Sequence, residues 1–137
     1  MKVAFYDRHQ LLNGEVPQLH TEDAERIIQR LKDSPVNEYI GSFIDNCKDR
    51  IEPMERDEFI KLYEKCKCGQ VDQIAILSVS RLSRSTVTLI KTCKEFSERG
   101  IEIMFFKEGI TGDMLLKSET LSQNQNKGEN SGITMEM

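Results

Sequence analysis

Apolar and β-branched runs of strand length recur along the chain, and amphipathic segments of helix length separate them. The runs are Lys2–Tyr6, Tyr39–Ile44, Ile74–Val79 and Glu102–Phe106. Their near-continuous apolar character, clearest in Ile74–Val79, predicts strands covered on both faces, as in a parallel sheet between helices. Ala24, Ile27, Ile28 and Leu31 form an i, i+3, i+4, i+7 stripe, with Thr21 as a cap, Glu22 and Asp23 in the first turn and Pro35 beyond the end. Phe59, Leu62, Tyr63 and Cys66 share one face of a helix that opens at Arg56 and stops near Gly69. Leu89, Ile90, Cys93 and Phe96 face inward from Thr86–Arg99, which Gly100 terminates. The order β-α-β-α-β-α-β predicts an α/β fold, a three-layer α/β/α domain around a mainly parallel sheet of four to five strands.

The polar stretches punctuate this plan. Asp7–Gln10 is a polar break after the first strand, and Leu11–His20, with Gly14 and Pro17, has no period and reads as a mobile loop. Asp45–Glu55 is a long polar loop containing Pro53. Beyond Gly109 the pattern fades. Asp113–Leu121 fits a short helix, or the start of a truncated linker helix, and Ser122–Met137 has the composition of a disordered tail. The expected organisation is one domain over residues 1–112, a short helix over 113–121 and a polar tail over 122–137.

Composition narrows the class. The chain has 137 residues, 38% hydrophobic and 31% charged, enough for a single domain with a real core. No run approaches the length of a membrane span, and MKVAFYDR is not a signal or transit peptide, so a cytoplasmic location is expected. Cys47, Cys66, Cys68 and Cys93 lack zinc-site spacing, so no metal or other cofactor is expected. The net charge of −4 gives no global positive field, so contact with nucleic acid has to come from a local cluster of arginines.

That cluster stands where the third strand run ends. Ser80-Arg81-Leu82-Ser83-Arg84-Ser85 links the carboxyl end of a strand to the amino end of a helix, where free N–H groups favour an anion. Arginine holds phosphate oxygens in a fork, so phosphate is the first candidate ligand. The alternative, in which Arg81 and Arg84 are ordinary solvated or ion-paired residues, stays open on this pattern alone. Arg8 follows the first strand in the same manner. His20, alone in a polar loop, reads as a surface residue.

These segments together resemble the amino-terminal catalytic domain of the serine site-specific recombinases, the resolvase and invertase family. Tyr6-Asp7-Arg8 is similar to the family's opening Tyr-x-Arg, and Asp45, a polar loop and Arg56-Asp57-Glu58-Phe59 are similar to its aspartate, loop and helix start. Asp72–Ile76 with Ser80–Ser85 resembles its most diagnostic stretch, and Gly100–Ile103 with Phe105–Ile110 the segment that closes the core. The resemblance covers about Lys2 to Gly112. It implies DNA recombination or integration of the kind mobile elements carry: a serine hydroxyl attacks a phosphodiester, forms a phosphoserine link to the 5′ end and frees a 3′ hydroxyl. It also implies an arginine cage of Arg8, Arg56, Arg81 and Arg84 that stabilises charge on the phosphorane. Tyr6, Asp45, Ser80, Ser83 and Ser85 would border the substrate. DNA would be the partner, and the chain would form homo-oligomers, a dimer and then a tetramer in strand exchange.

Three departures qualify that expectation. The family's nucleophilic serine, two residues after the Tyr-x-Arg arginine, is replaced by Gln10, whose carboxamide is not a nucleophile. The neighbouring His9 and Tyr6 have no activating partner evident in the sequence. Lys48-Asp49-Arg50 stands where a Ser-Gly usually follows the loop aspartate, and the chain has only a polar tail where relatives continue into a long helix and a DNA-binding domain. Affinity for DNA is therefore expected to be weak and strongly salt-dependent. A degenerate or inactive recombinase catalytic domain is the leading reading. A non-catalytic dimerisation or regulatory module and a small phosphate-ligand binding module are the alternatives.

Overall fold

The computed structural model describes residues 1–9 and 22–117. Five strands form one sheet in the order β2-β1-β3-β4-β5. They are β1 (Lys2–His9), β2 (Glu38–Asn46), β3 (Gln73–Ile76), β4 (Glu102–Phe105) and β5 (Ile110–Thr111). The first four run parallel and β5 returns antiparallel along β4. The helices are α1 (Glu22–Asp33), α2 (Asp57–Lys67), α3 (Val79–Leu82), α4 (Thr86–Glu98) and α5, which spans 112–117 of the described residues. A 3-10 turn, Pro53–Glu55, precedes α2.

Strand alternation divides the core in two. Val3 and Phe5 of β1, with Ala75 of β3, meet Ala24, Ile27, Ile28 and Leu31 of α1. Ala4, Tyr6, Ile74 and Ile76 point the other way and pack with Phe59 and Leu62 of α2 and Cys93 and Phe96 of α4. This is the expected three-layer arrangement, and β1 at its centre is buried from Val3 to Arg8.

Four boundaries differ from the hydrophobic pattern, each for a local reason. β1 continues through Asp7, Arg8 and His9, because Arg8 pairs with Asp45 and His9 with Asn46 across the ladder. Its polar end is strand rather than break. Asp45 accordingly lies in β2 and not in a loop. Arg56 is extended and caps α2, whose first helical residue is Asp57. β3 ends at Ile76, and Val79 opens the single helical turn α3, so the expected polar turn is itself partly helical. α1 ends before Pro35 as its stripe predicts. The expectations for Gln10, the loop Leu11–His20, the cap Thr21 and the tail Ser122–Met137 lie outside the described residues.

Candidate active site

The chain leaves β1 in one direction, toward α1 and β2, and crosses to the other side of β1 to form β3. The carboxyl ends of β1 and β3 therefore flank the point where the strand order reverses, the usual place for a ligand in an open α/β sheet. Arg8 stands at the end of β1, and α3 and its turn follow β3.

Arg8 is 5% exposed. Its Nη1 donates to the Cys47 carbonyl at 3.2 Å, its Nη2 to the Ser80 carbonyl at 3.1 Å, and its Nε has no hydrogen-bond partner. Burial, followed by the nearby Arg56 charge, lowers its pKa from the usual arginine value. Two guanidinium groups crowded in one buried region repel each other, and an anion placed there would relieve that repulsion. Arg81 is partly exposed, donates from Nη1 to the Arg8 carbonyl at 2.8 Å and sets Nε 3.7 Å from Asp7 Oδ1. Arg84 is exposed, with its backbone N–H held by Asp49 Oδ1 at 3.0 Å.

Arg56, 2% exposed, is held on all sides. Nε donates to the Ile51 carbonyl at 2.9 Å, Nη2 to that of Asp49 at 3.2 Å, and Nη1 to the Tyr6 hydroxyl at 3.3 Å and the Arg81 carbonyl at 3.5 Å. Its charge reaches the site as a field, and its bonds fix the 49–51 loop. Tyr6 in turn donates to Asp45 Oδ2 at 2.8 Å. Asp45 accepts the backbone N–H groups of Glu58 at 2.8 Å and Phe59 at 3.0 Å, so a side chain of β2 caps the open end of α2. Burial, the largest cause, pushes the Tyr6 phenol far above its ordinary pKa, which leaves it neutral and unsuited to attack.

The serines of the turn shape it. Ser80 shares a hydrogen bond with Ser78, Oγ to Oγ at 2.9 Å, and its carbonyl holds Arg8. Ser83 Oγ accepts the Ser85 N–H at 3.0 Å, and Ser85 Oγ accepts the Thr88 N–H at 3.3 Å as the cap of α4.

Two acids that the sequence pattern does not single out enter the site. Asp49 lies 3.7 Å from Arg8 Nη2, holds the Arg84 backbone and gives its carbonyl to Arg56, so a carboxylate of the chain occupies the guanidinium cluster. Asp7, fully buried, has Oδ2 3.4 Å from His9 Nε2, a contact without hydrogen-bond geometry, and neither atom has a hydrogen-bond partner. His9 thus lies beside a carboxylate that the sequence did not reveal. The signal was the period-two alternation of β1, which places Asp7 and His9 together on the α1 side once the strand is extended past Tyr6. For Asp49 no comparable signal exists, because loop geometry alone brings it in.

A mostly parallel α/β sheet with Arg8, Arg56 and Arg81 gathered at its switch point defines the class, an α/β domain with a cationic site at the carboxyl ends of its strands. A family model described as "Resolvase, N terminal domain" matches residues 18–124, and the chain belongs to that family. The match leaves Tyr6, Arg8 and Gln10 outside it. Among solved structures, the N-terminal catalytic domain of TP901-1 integrase superposes with a TM-score of 0.69 at 20% identity, covering 90% of this chain and 95% of that one. A resolvase family site-specific recombinase from Streptococcus pneumoniae gives 0.59 at 18% identity, over 90% and 89% of the two chains. The C-terminal catalytic domain of ISC1926 TnpA, an IS607-like serine recombinase, gives 0.59 at 18% identity, over 89% and 79%. No curated protein matches the chain. The fold is therefore that of the serine-recombinase catalytic domains. Among the described residues no helix is long and apolar enough to cross a membrane.

Proposed function

We propose that residues 1–112 are a serine-recombinase catalytic domain that holds a DNA phosphodiester at Arg8, Arg81 and Arg84, and that Gln10 has removed the attacking hydroxyl. The observation that carries this reading is the convergence of Arg8, Arg56 and Arg81 on the ends of β1 and β3, with the Arg84 backbone held beside them by Asp49. Arg56 acts as a positioning residue through Ile51, Asp49 and Tyr6. Guanidinium donors fixed before the reaction stabilise the charge of a five-coordinate phosphorus without reorganising, which is what phosphoryl transfer asks of a protein.

Asp49 adds a condition to binding. A phosphate entering the cluster competes with this carboxylate, so the chain carries a built-in competitor for its own ligand. That competition and the net charge of −4 favour weak contact with DNA, governed by phosphate rather than by base sequence.

Fluorescence anisotropy with short duplex DNA across a salt series tests the reading. The log of the affinity should fall linearly with the log of salt, and Arg84→Ala should weaken binding of all sequences alike and reduce the slope by about 1. Millimolar inorganic phosphate or pyrophosphate should not displace the duplex. Saturable binding of those small anions with no affinity for DNA would instead establish a small phosphate-ligand module.

A further inference from the structure

The α1 face of the domain carries a cleft of about 550 Å³ that the cluster around Arg8 does not account for. It opens between α1 and the carboxyl ends of β3 and β4. Its apolar wall is Ile27, Leu77 and Phe106, and its charged rim is Arg26, Arg30, Arg81 and Lys107 against one carboxylate, Asp23. Arg81 already faces Asp7, and Arg26 faces Glu22 and Asp23, so the uncompensated charge of the rim is that of Arg30 and Lys107.

The cations are not equally committed. Arg26 is paired along its own helix with Glu22 and Asp23. Arg30 sits over the Phe106 ring, 6.0 Å from guanidinium carbon to centroid, and neither it nor Lys107 has an acidic partner among the described residues. Phe106 is half-buried, so part of its ring remains accessible in the cleft. The Phe106 and Lys107 N–H groups are tied to the Ile76 and Leu77 carbonyls at 3.0 and 2.7 Å, which fixes the backbone from which both side chains project.

We infer that this cleft is a nucleotide subsite: the phosphate meets Arg30 and Lys107, and the base lies against Phe106 on the apolar wall. A bare inorganic anion would use the rim and leave the wall wet. A purely apolar ligand would leave the cations without counter-charge. A phosphate carrying a flat ring satisfies both, an aromatic side chain beside a basic groove is how proteins hold single nucleotide units, and the volume is within the range of small-ligand sites. Two sources share this chemistry, a free nucleotide and one unit of a DNA strand. Arg81 contributes to both the rim and the cluster around Arg8, so a strand lying in the cleft would continue toward Arg8 at the end of β1. The inference stands whether or not the chain cuts DNA.

The test is titration of the ¹⁵N-labelled 137-residue chain with deoxyadenosine monophosphate and, separately, with a single-stranded hexanucleotide, followed by amide chemical shifts. Shifts at Ile27, Leu77 and Phe106 are expected. The double variant Arg30→Ala, Lys107→Ala and the single variant Phe106→Ala should each weaken binding roughly tenfold, while Arg84→Ala leaves these shifts in place. Binding of the monophosphate identifies a free-nucleotide site, and binding of the hexanucleotide alone identifies a strand site. Both exposed cationic heads can be removed without opening the core, so amide spectra of the double variant should retain the native dispersion. Shifts confined to the Arg8 and Arg84 side, or affinity unchanged in the folded double variant, would overturn the inference.

Discussion

At the scale of single residues, the site is governed by two carboxylates with opposite roles. Asp45 is constructive: it ties Tyr6, and through it Arg56, to the open N–H groups of α2. Asparagine keeps the shape but replaces a charge-assisted acceptor with a neutral amide, and its NH2 cannot accept from the helix. Asp45→Asn should therefore lower stability by about 1–3 kcal/mol, seen as a lower urea midpoint with an unchanged slope. In the proposed phosphate site Asp49 is obstructive, since its Oδ1 lies 3.7 Å from Arg8 Nη2. Asp49→Asn should raise affinity for short duplex DNA roughly fivefold at low salt, the factor that about 1 kcal/mol represents. An affinity unchanged or lowered in that variant would show that Asp49 organises the loop without competing for the anion.

At the scale of elements, the hydrophobic pattern was a good guide wherever burial alone decides structure. The stripe of α1 and the run Ile74–Ile76 fall where period and apolarity place them, because each is stabilised by water exclusion on an identifiable face. It failed where ladder pairing and capping decide. Asp7 to His9 are polar and still form strand, because β2 supplies partners for their backbone groups, and that partner lies more than thirty residues away in sequence. The arginines of the site were legible as residue types in a meaningful order. Their division of labour was not, since the full occupation of Arg56 by carbonyls depends on the 49–51 loop.

The same element packing predicts alkaline instability. Burial on α2 and α4 pushes the Cys66 and Cys93 thiols up to about 12 from an ordinary 9.0. The unfolded chain releases these protons near pH 9 while the folded chain keeps them, so stability is complete below pH 9 and falls as pH rises toward 12. Tyr6 acts in the same direction from its own, higher ordinary value. Unfolding free energies from urea titrations between pH 8 and pH 11 should fall, by up to about 1.4 kcal/mol per pH unit for each group, and less steeply in a Cys66→Ala, Cys93→Ala variant. A flat profile in the unaltered chain would contradict the burial of these groups.

At the scale of the whole molecule, the chain has a recombinase catalytic fold, which under the proposed function keeps the charged apparatus of phosphoryl transfer and lacks the oxygen that attacks. Covalent trapping on nicked or mismatched duplex DNA, read as a protein–DNA adduct on a denaturing gel, tests that claim most directly. The chain and its Gln10→Ser variant are compared on the same duplexes, with an active relative that cuts them as the positive control. The predicted result is an adduct with Gln10→Ser and none with the unaltered chain: the restored hydroxyl forms the Oγ–P bond and the 3′ oxygen leaves with a proton. An adduct with neither protein, where the relative cuts, would contradict the claim that the arginine cluster is a competent cage. An adduct with the unaltered chain would contradict the role given to Gln10, and if that link were acid-labile it would point to His9, beside Asp7, as the attacking group.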